Sequence, residues 1–235
     1  MTAATSSPSQ DRRGEVRLAP ALATLLAIAL YTLLPDDLIV GPRLVVPVVE
    51  VLLLLSLLLV NPWRLNREAR WSRLASLTLI AVIAVGNLVA LGLTVTALVG
   101  HSQLAAQGGQ LLLAALQIWL TDVLVFALAF SELDRGGPVS RRRRARTDLP
   151  AADWRFSQDE DHDAVDEVAR HSSSNGDWIP SFPDYLYVSL TNSSAFSPTD
   201  TMPLTTRAKA LMGIEATAAL LTSLLIIASG VSQLG

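Results

Sequence analysis

The chain is 235 residues long, 51% apolar and only 17% charged, with a formal net charge of −3; soluble domains carry about 25% charged residues. Positions 75–131 hold a single acidic or basic side chain, Asp122, and a water-soluble fold cannot cover its surface from such a span. A soluble globular domain, a disordered chain and a nucleic-acid binder are excluded, and the lack of cysteine removes disulfides, thiolate metal sites and cysteine nucleophiles.

Residues 1–17 are rich in Ser, Thr and Arg and read as a disordered cytoplasmic tail. A hydrocarbon core of about 30 Å is crossed by about 20 apolar residues in a helix. Residues 18–34, slightly short and ended by Pro35, read as an uncleaved signal-anchor. Residues 44–60, preceded by Pro42, residues 74–99 and residues 111–130 follow, so 18–131 is a four-helix membrane region. Residues 132–180 form a charged cytoplasmic loop, and 181–235 holds a re-entrant segment and a last span at 208–228. The expected fold is therefore all-α: an integral membrane bundle of about five transmembrane helices, with a short re-entrant or interfacial helix before the last.

Arginine and lysine placement orients it, because basic flanks stay on the cytoplasmic side. Three lie in the tail, four in the loop 61–73 and ten in 132–209, against Arg43 alone on the other side. The N-terminus is expected inside and the C-terminus outside.

Ionisable residues at membrane depth are functional candidates. Asp122 sits mid-span near Gln117 and Thr121, and no Lys or Arg lies inside its own span to pair with it. It reads either as an interhelix hydrogen-bond partner, with Thr121 orienting it, or as an ion- or proton-handling group. Glu50 and Glu215 lie about two turns into their spans, where they can approach the interface. Asn87, flanked by Gly86 and Gly92, fits the small-and-polar pattern of close helix packing.

The long loop runs from a basic juxtamembrane stretch, 135–146, through an acidic one, 148–167, to a Ser/Asn/Gly linker, and reads as solvated. Asp159, Asp161 and Asp163 imitate the first ligands of a calcium loop, but Ala164 and Arg170 stand where that loop needs Gly and Glu. No cofactor or metal site is expected, and soluble-enzyme motifs are missing.

Trp178, Phe182, Tyr185, Tyr187 and Phe196 cluster as an interfacial aromatic belt would. From Tyr187 to Thr205 the chain resembles the pore region of two-helix potassium channels, with Tyr187, Ser189, Asp200, Pro203 and Thr205 on matching positions. Ala195-Phe196-Ser197-Pro198-Thr199 occupies the place of that family's glycine-containing filter. The arginine count also puts this loop on the cytoplasmic side, whereas channel pore loops enter from outside. Phe182-Pro183-Asp184-Tyr185-Leu186-Tyr187 is similar to the FxDYLY-type segment that precedes the last helix in an uncharacterised family of bacterial multi-pass membrane proteins. That resemblance implies a bacterial inner-membrane protein and supplies no activity.

Two functions stay open. One is a non-enzymatic membrane protein whose channel-like ending packs or forms homo-oligomers. The other is a poorly selective or gated cation conduit. Its candidate residues are Asp122, Glu215, Glu50, Asn87, Ser197, Thr199 and Asp200. The lipid bilayer is the expected partner in either case. A membrane enzyme would need a nucleophile and base that the chain does not offer.

Overall fold

The computed structural model describes residues 15–60, 70–99, 108–160, 165–174, 176–194 and 201–232. Five apolar helices form the frame: α1 (Leu18–Thr32), α2 (Val45–Val60), α3 (Arg70–Val99), α4 (Gly108–Leu133) and, last in the chain, α8 (Thr206–Ser232). Between α4 and α8 come short helices α5 (Pro138–Arg143) and α6 (Asp166–Ala169), the 12-residue α7 (Phe182–Ser193), and strands β1 (Trp154–Phe156) and β2 (Thr201–Pro203).

Three of these helices are long and apolar enough to cross a membrane: Trp71–Val99, Gly109–Gly136 and Thr206–Ala228. This is fewer than the five expected. The 15 residues of α1 and 16 of α2 reach only about 22–24 Å at 1.5 Å per residue, short of a core of about 30 Å. α1 stops before Pro35, and Arg43 fastens its end by donating to the carbonyls of Thr32 (3.1 Å) and Leu34 (2.7 Å). Such carbonyls have no partner within the helix. α2 begins at Val45 with Pro47 in its first turn, where a missing N–H costs nothing.

α4 is the central post. About two thirds of its apolar window is buried, against about one third in α8, and α1, α3, α7 and α8 all pack on it. α2 packs on α1 and α3 at the periphery. Outward faces stay apolar: Leu52, Leu55 and Leu59 on α2, and Leu220, Leu224 and Ile227 on α8, are exposed. An apolar surface this extensive suits lipid rather than water.

The segment after α4 is only in part the solvated loop expected from its charge: 143–148 are exposed, but stretches on either side of them fold back on the bundle. Arg135, Gly136 and Gly137 all take positive φ, a sharp turn that glycine adopts without strain. The chain then folds back, and Asp134, Arg141, Asp153 and Trp154 are fully buried. β1 and β2 pair antiparallel with Trp154 opposite Pro203 and Phe156 opposite Thr201, so the stretch before α8 is fixed to the stretch after α4.

Of the aromatic residues expected as a belt, Phe182 and Tyr185 turn inward, while Phe196 lies outside the described residues. Phe130 and Trp154 meet at 4.7 Å with their rings tilted by 43°, and Phe156 meets Tyr185 edge-on at 5.5 Å. Phe182 and Tyr185 are buried, while Tyr187 is half exposed.

Candidate functional site

α7 starts where its sequence dictates. Ser181 precedes it, Pro183 stands in the first turn, and the Asp184 carboxylate accepts the Ser181 N–H at 2.7 Å and hydroxyl at 2.8 Å. A carboxylate in that position satisfies an orphan donor and suits the helix dipole. From this start Ser189, Asn192 and Ser193, spaced three and four apart, share one face. That face meets α8 at Glu215, whose side chain is fully buried.

Glu215 accepts from Asn192 Nδ2 at 2.7 Å on one oxygen and from Ser193 Oγ at 3.1 Å on the other. The Ser189 hydroxyl sits between that second oxygen and the Val123 carbonyl of α4, 2.8 Å away. Asn192 also donates to the Met212 carbonyl at 3.0 Å, and the Trp119 indole donates to the Ser193 carbonyl at 3.3 Å. A carboxyl group with three side-chain donors is how a buried acid is kept within a helical bundle.

Asp122 of α4 directly precedes Val123, whose carbonyl shares the Ser189 hydroxyl with Glu215. Its Oδ1 receives Asn87 Nδ2 from α3 at 3.4 Å, and the same amide donates to the Ile118 carbonyl at 3.1 Å. Asn87, rather than Thr121, is thus the orienting partner. Asp122 Oδ2 is buried and has no hydrogen-bond partner. Four helices therefore bring together one carboxyl pair, three hydroxyl- or amide-bearing residues of α7 and one asparagine.

Of the residues singled out from sequence, Asp122, Asn87 and Glu215 converge here. Glu215 and Glu50 are both buried against protein. Glu50 stands apart, on α2, which packs on α1 and α3, and its Oε2 has no hydrogen-bond partner. Ser197, Thr199 and Asp200 lie outside the described residues, as do Asp161 and Asp163. Among the described residues no group of three metal-ligating side chains assembles.

A second polar centre, unforeseen from sequence, ties the folded-back segment to the bundle. Arg141 is fully buried. Its guanidinium donates to the Ser131 carbonyl, to Ser131 Oγ at 3.1 Å and to the Asp134 carbonyl at 3.1 Å. It also pairs with Glu15 at 3.3 Å and covers the Tyr185 ring at 4.8 Å. Glu15 accepts the Phe182 N–H at 2.7 Å. Asp134 accepts the Asp153 N–H at 2.7 Å and the Tyr185 hydroxyl at 2.6 Å. Burial holds the Tyr185 phenol well above its ordinary value; Arg141 pulls it down and Asp134 pushes it further up.

No family model, curated protein or solved structure matches the chain.

Proposed function

We propose that this is a non-enzymatic multi-pass membrane protein that passes a small cation, bare as a proton or with its water, past the carboxyl pair Asp122 and Glu215. The observation that carries the reading is the unpartnered Asp122 Oδ2, 1% exposed as a residue, next in the chain to Val123, whose carbonyl shares the Ser189 hydroxyl with Glu215. An acceptor left open among helices of membrane length is expensive, and such groups mark ion and proton paths. In this reading α1 and α2 complete five crossings, the N-terminus is cytoplasmic, and the protein resides in a bacterial inner membrane, with homo-oligomers compatible with its apolar exterior. α7 is then the re-entrant element, and the chain after it takes part in a poorly selective conduit.

The test is flux through the purified protein in liposomes under an imposed cation or pH gradient. Wild type should dissipate the gradient above empty vesicles, while Asp122→Asn and Glu215→Gln should each slow it. Wild-type flux no faster than empty vesicles, or equal rates in all three proteins, overturns the reading.

A further inference from the structure

Ser189 has one hydrogen and stands between two acceptors. Its Oγ lies 2.8 Å from the Val123 carbonyl of α4 and within hydrogen-bond distance of Glu215 Oε1 on α8. The residue is fully buried. A hydroxyl gives one hydrogen bond and receives up to two. Both contacts are hydrogen bonds at once only when one of the two oxygens brings a hydrogen of its own. The Val123 carbonyl has none to bring, whereas a carboxyl group can carry one. Every atom is satisfied when Glu215 O–H donates to Ser189 Oγ and Ser189 O–H donates to Val123.

The surroundings of Glu215 fit a neutral acid. Among the described residues no basic side chain pairs with it, and a buried carboxylate without a counter-charge is costly. α7 presents the neutral Ser189, Asn192 and Ser193. The titratable group that α4 brings to this junction is Asp122, next to Val123, which is itself an acid. A metal cation would need several oxygen lone pairs aimed at it, but the Glu215 oxygens face the Asn192 N–H at 2.7 Å and the Ser193 hydroxyl at 3.1 Å. A proton needs one lone pair.

We propose that Glu215 holds a proton, donated to Ser189, and that the cation passing this site is the proton itself; the second part rests on the conduit reading above. When the proton leaves for water, the Ser189 hydrogen turns from Val123 to the carboxylate. The Val123 carbonyl then keeps only its bond within α4. When a proton arrives from the other side, the hydrogen turns back. Ser189 is a positioning residue, and each passage breaks and remakes one tie between α7 and α4.

Infrared spectroscopy of the full chain in liposomes reads the proton directly, through the carbonyl stretch that a protonated carboxyl has and a carboxylate lacks. At neutral pH the difference between wild type and Glu215→Gln should show this band, shifted in D2O, and Asp122→Asn should retain it. Ser189→Ala keeps the carboxyl and should move the band to higher frequency, because the O–H loses its acceptor, so the result does not rest on one variant's folding. Vesicles loaded with a pH-sensitive or a sodium-sensitive dye should lose a pH gradient and keep a sodium gradient. A missing band, or one unmoved in Ser189→Ala, overturns the proposal whatever the flux. Sodium carried as fast as protons overturns it and leaves the conduit reading standing, whereas no flux of either ion overturns that reading and the proton's passage with it.

Discussion

The Tyr185 hydroxyl donates to Asp134 Oδ2 at 2.6 Å, joining the first turn of α7 to the residue just after α4. Both side chains are fully buried. Removing the hydroxyl with Tyr185→Phe leaves a buried carboxylate one donor short, and should cost about 1–3 kcal/mol, read as a lower midpoint of chemical unfolding in detergent. The phenol also gives a pH signature. Its folded value lies above its unfolded value of about 10, so the folded state binds its proton longer. Stability from this group is level below pH of about 10 and falls as pH rises beyond it. The melting temperature of wild type should therefore drop faster than that of Tyr185→Phe between pH 9 and 11; parallel curves would refute the assignment.

Gly137 and Gly92 make a matched pair. Gly137 has φ +92°, and a Cβ there would sit 3.1 Å from the Glu132 carbonyl oxygen. Gly92 is helical, with nothing within 4 Å. Gly137→Ala should destabilise by about 1–3 kcal/mol through backbone strain. Gly92→Ala should be neutral or stabilising by up to about 1 kcal/mol, the helix propensity difference. Thermal melts of the two variants side by side check the sign.

Asp153 anchors the start of α8. Its buried carboxylate accepts from Thr205 Oγ1 at 2.5 Å and Arg207 Nε at 2.7 Å, and the Leu204 N–H extends the β1–β2 ladder to its carbonyl at 2.8 Å. Arg207 is about half exposed. Asp153→Ala should therefore destabilise more than Arg207→Ala, because water replaces the partner only at the exposed end. Proteolytic nicking near residues 201–205 should rise in Asp153→Ala alone; equal nicking in both variants would sink the ranking.

Glu15 touches both Arg141 and the Phe182 N–H, so the chain near 15, 141 and 182 shares one end of the bundle. Reporter fusions after Arg17 and Arg146 should report the same side, the cytoplasmic one if the positive-inside expectation holds. Fusions after Arg73 should agree with them, and those after Gln107 and Gly235 should report the opposite side. Disagreement between Arg17 and Arg146 would contradict the Glu15–Arg141 contact itself.

The segment 193–200 lacks the glycines that let a potassium filter align its carbonyls, with Ser197 and Thr199 in their places and Pro198 between them. Any current in planar bilayers should therefore reverse well away from the potassium equilibrium potential under a potassium/sodium gradient. Reversal near that value, lost on changing Ser197 and Thr199, would show that the loop is a working filter.

The helices were legible because long apolar runs leave little choice. Residues 44–60 became Val45–Val60, and 208–228 lies within Thr206–Ser232. The folded-back segment was not. Arg141 looked like one of a solvated run because its carboxylate partner, Glu15, is 126 positions away, and no local pattern announces such a pairing. Ser189, Asn192 and Ser193 are readable as one face of a helix, but nothing in their spacing says which helix that face meets. Glu215 gained its importance only when α7 supplied the donors.

The tie from Glu15 to residue 182 also constrains the order of assembly. Glu15 and α1 leave the ribosome 167 residues before the N–H that Glu15 finally accepts, a delay of roughly 8–33 s at about 5–20 residues per second. During that interval the carboxylate stays hydrated, while the apolar helices between can already seek the bilayer. The Glu15–Arg141–Phe182 junction therefore closes late, after most of the bundle exists. A chain stalled before residue 182 lacks the N–H that Glu15 accepts and leaves that end of the bundle unfastened.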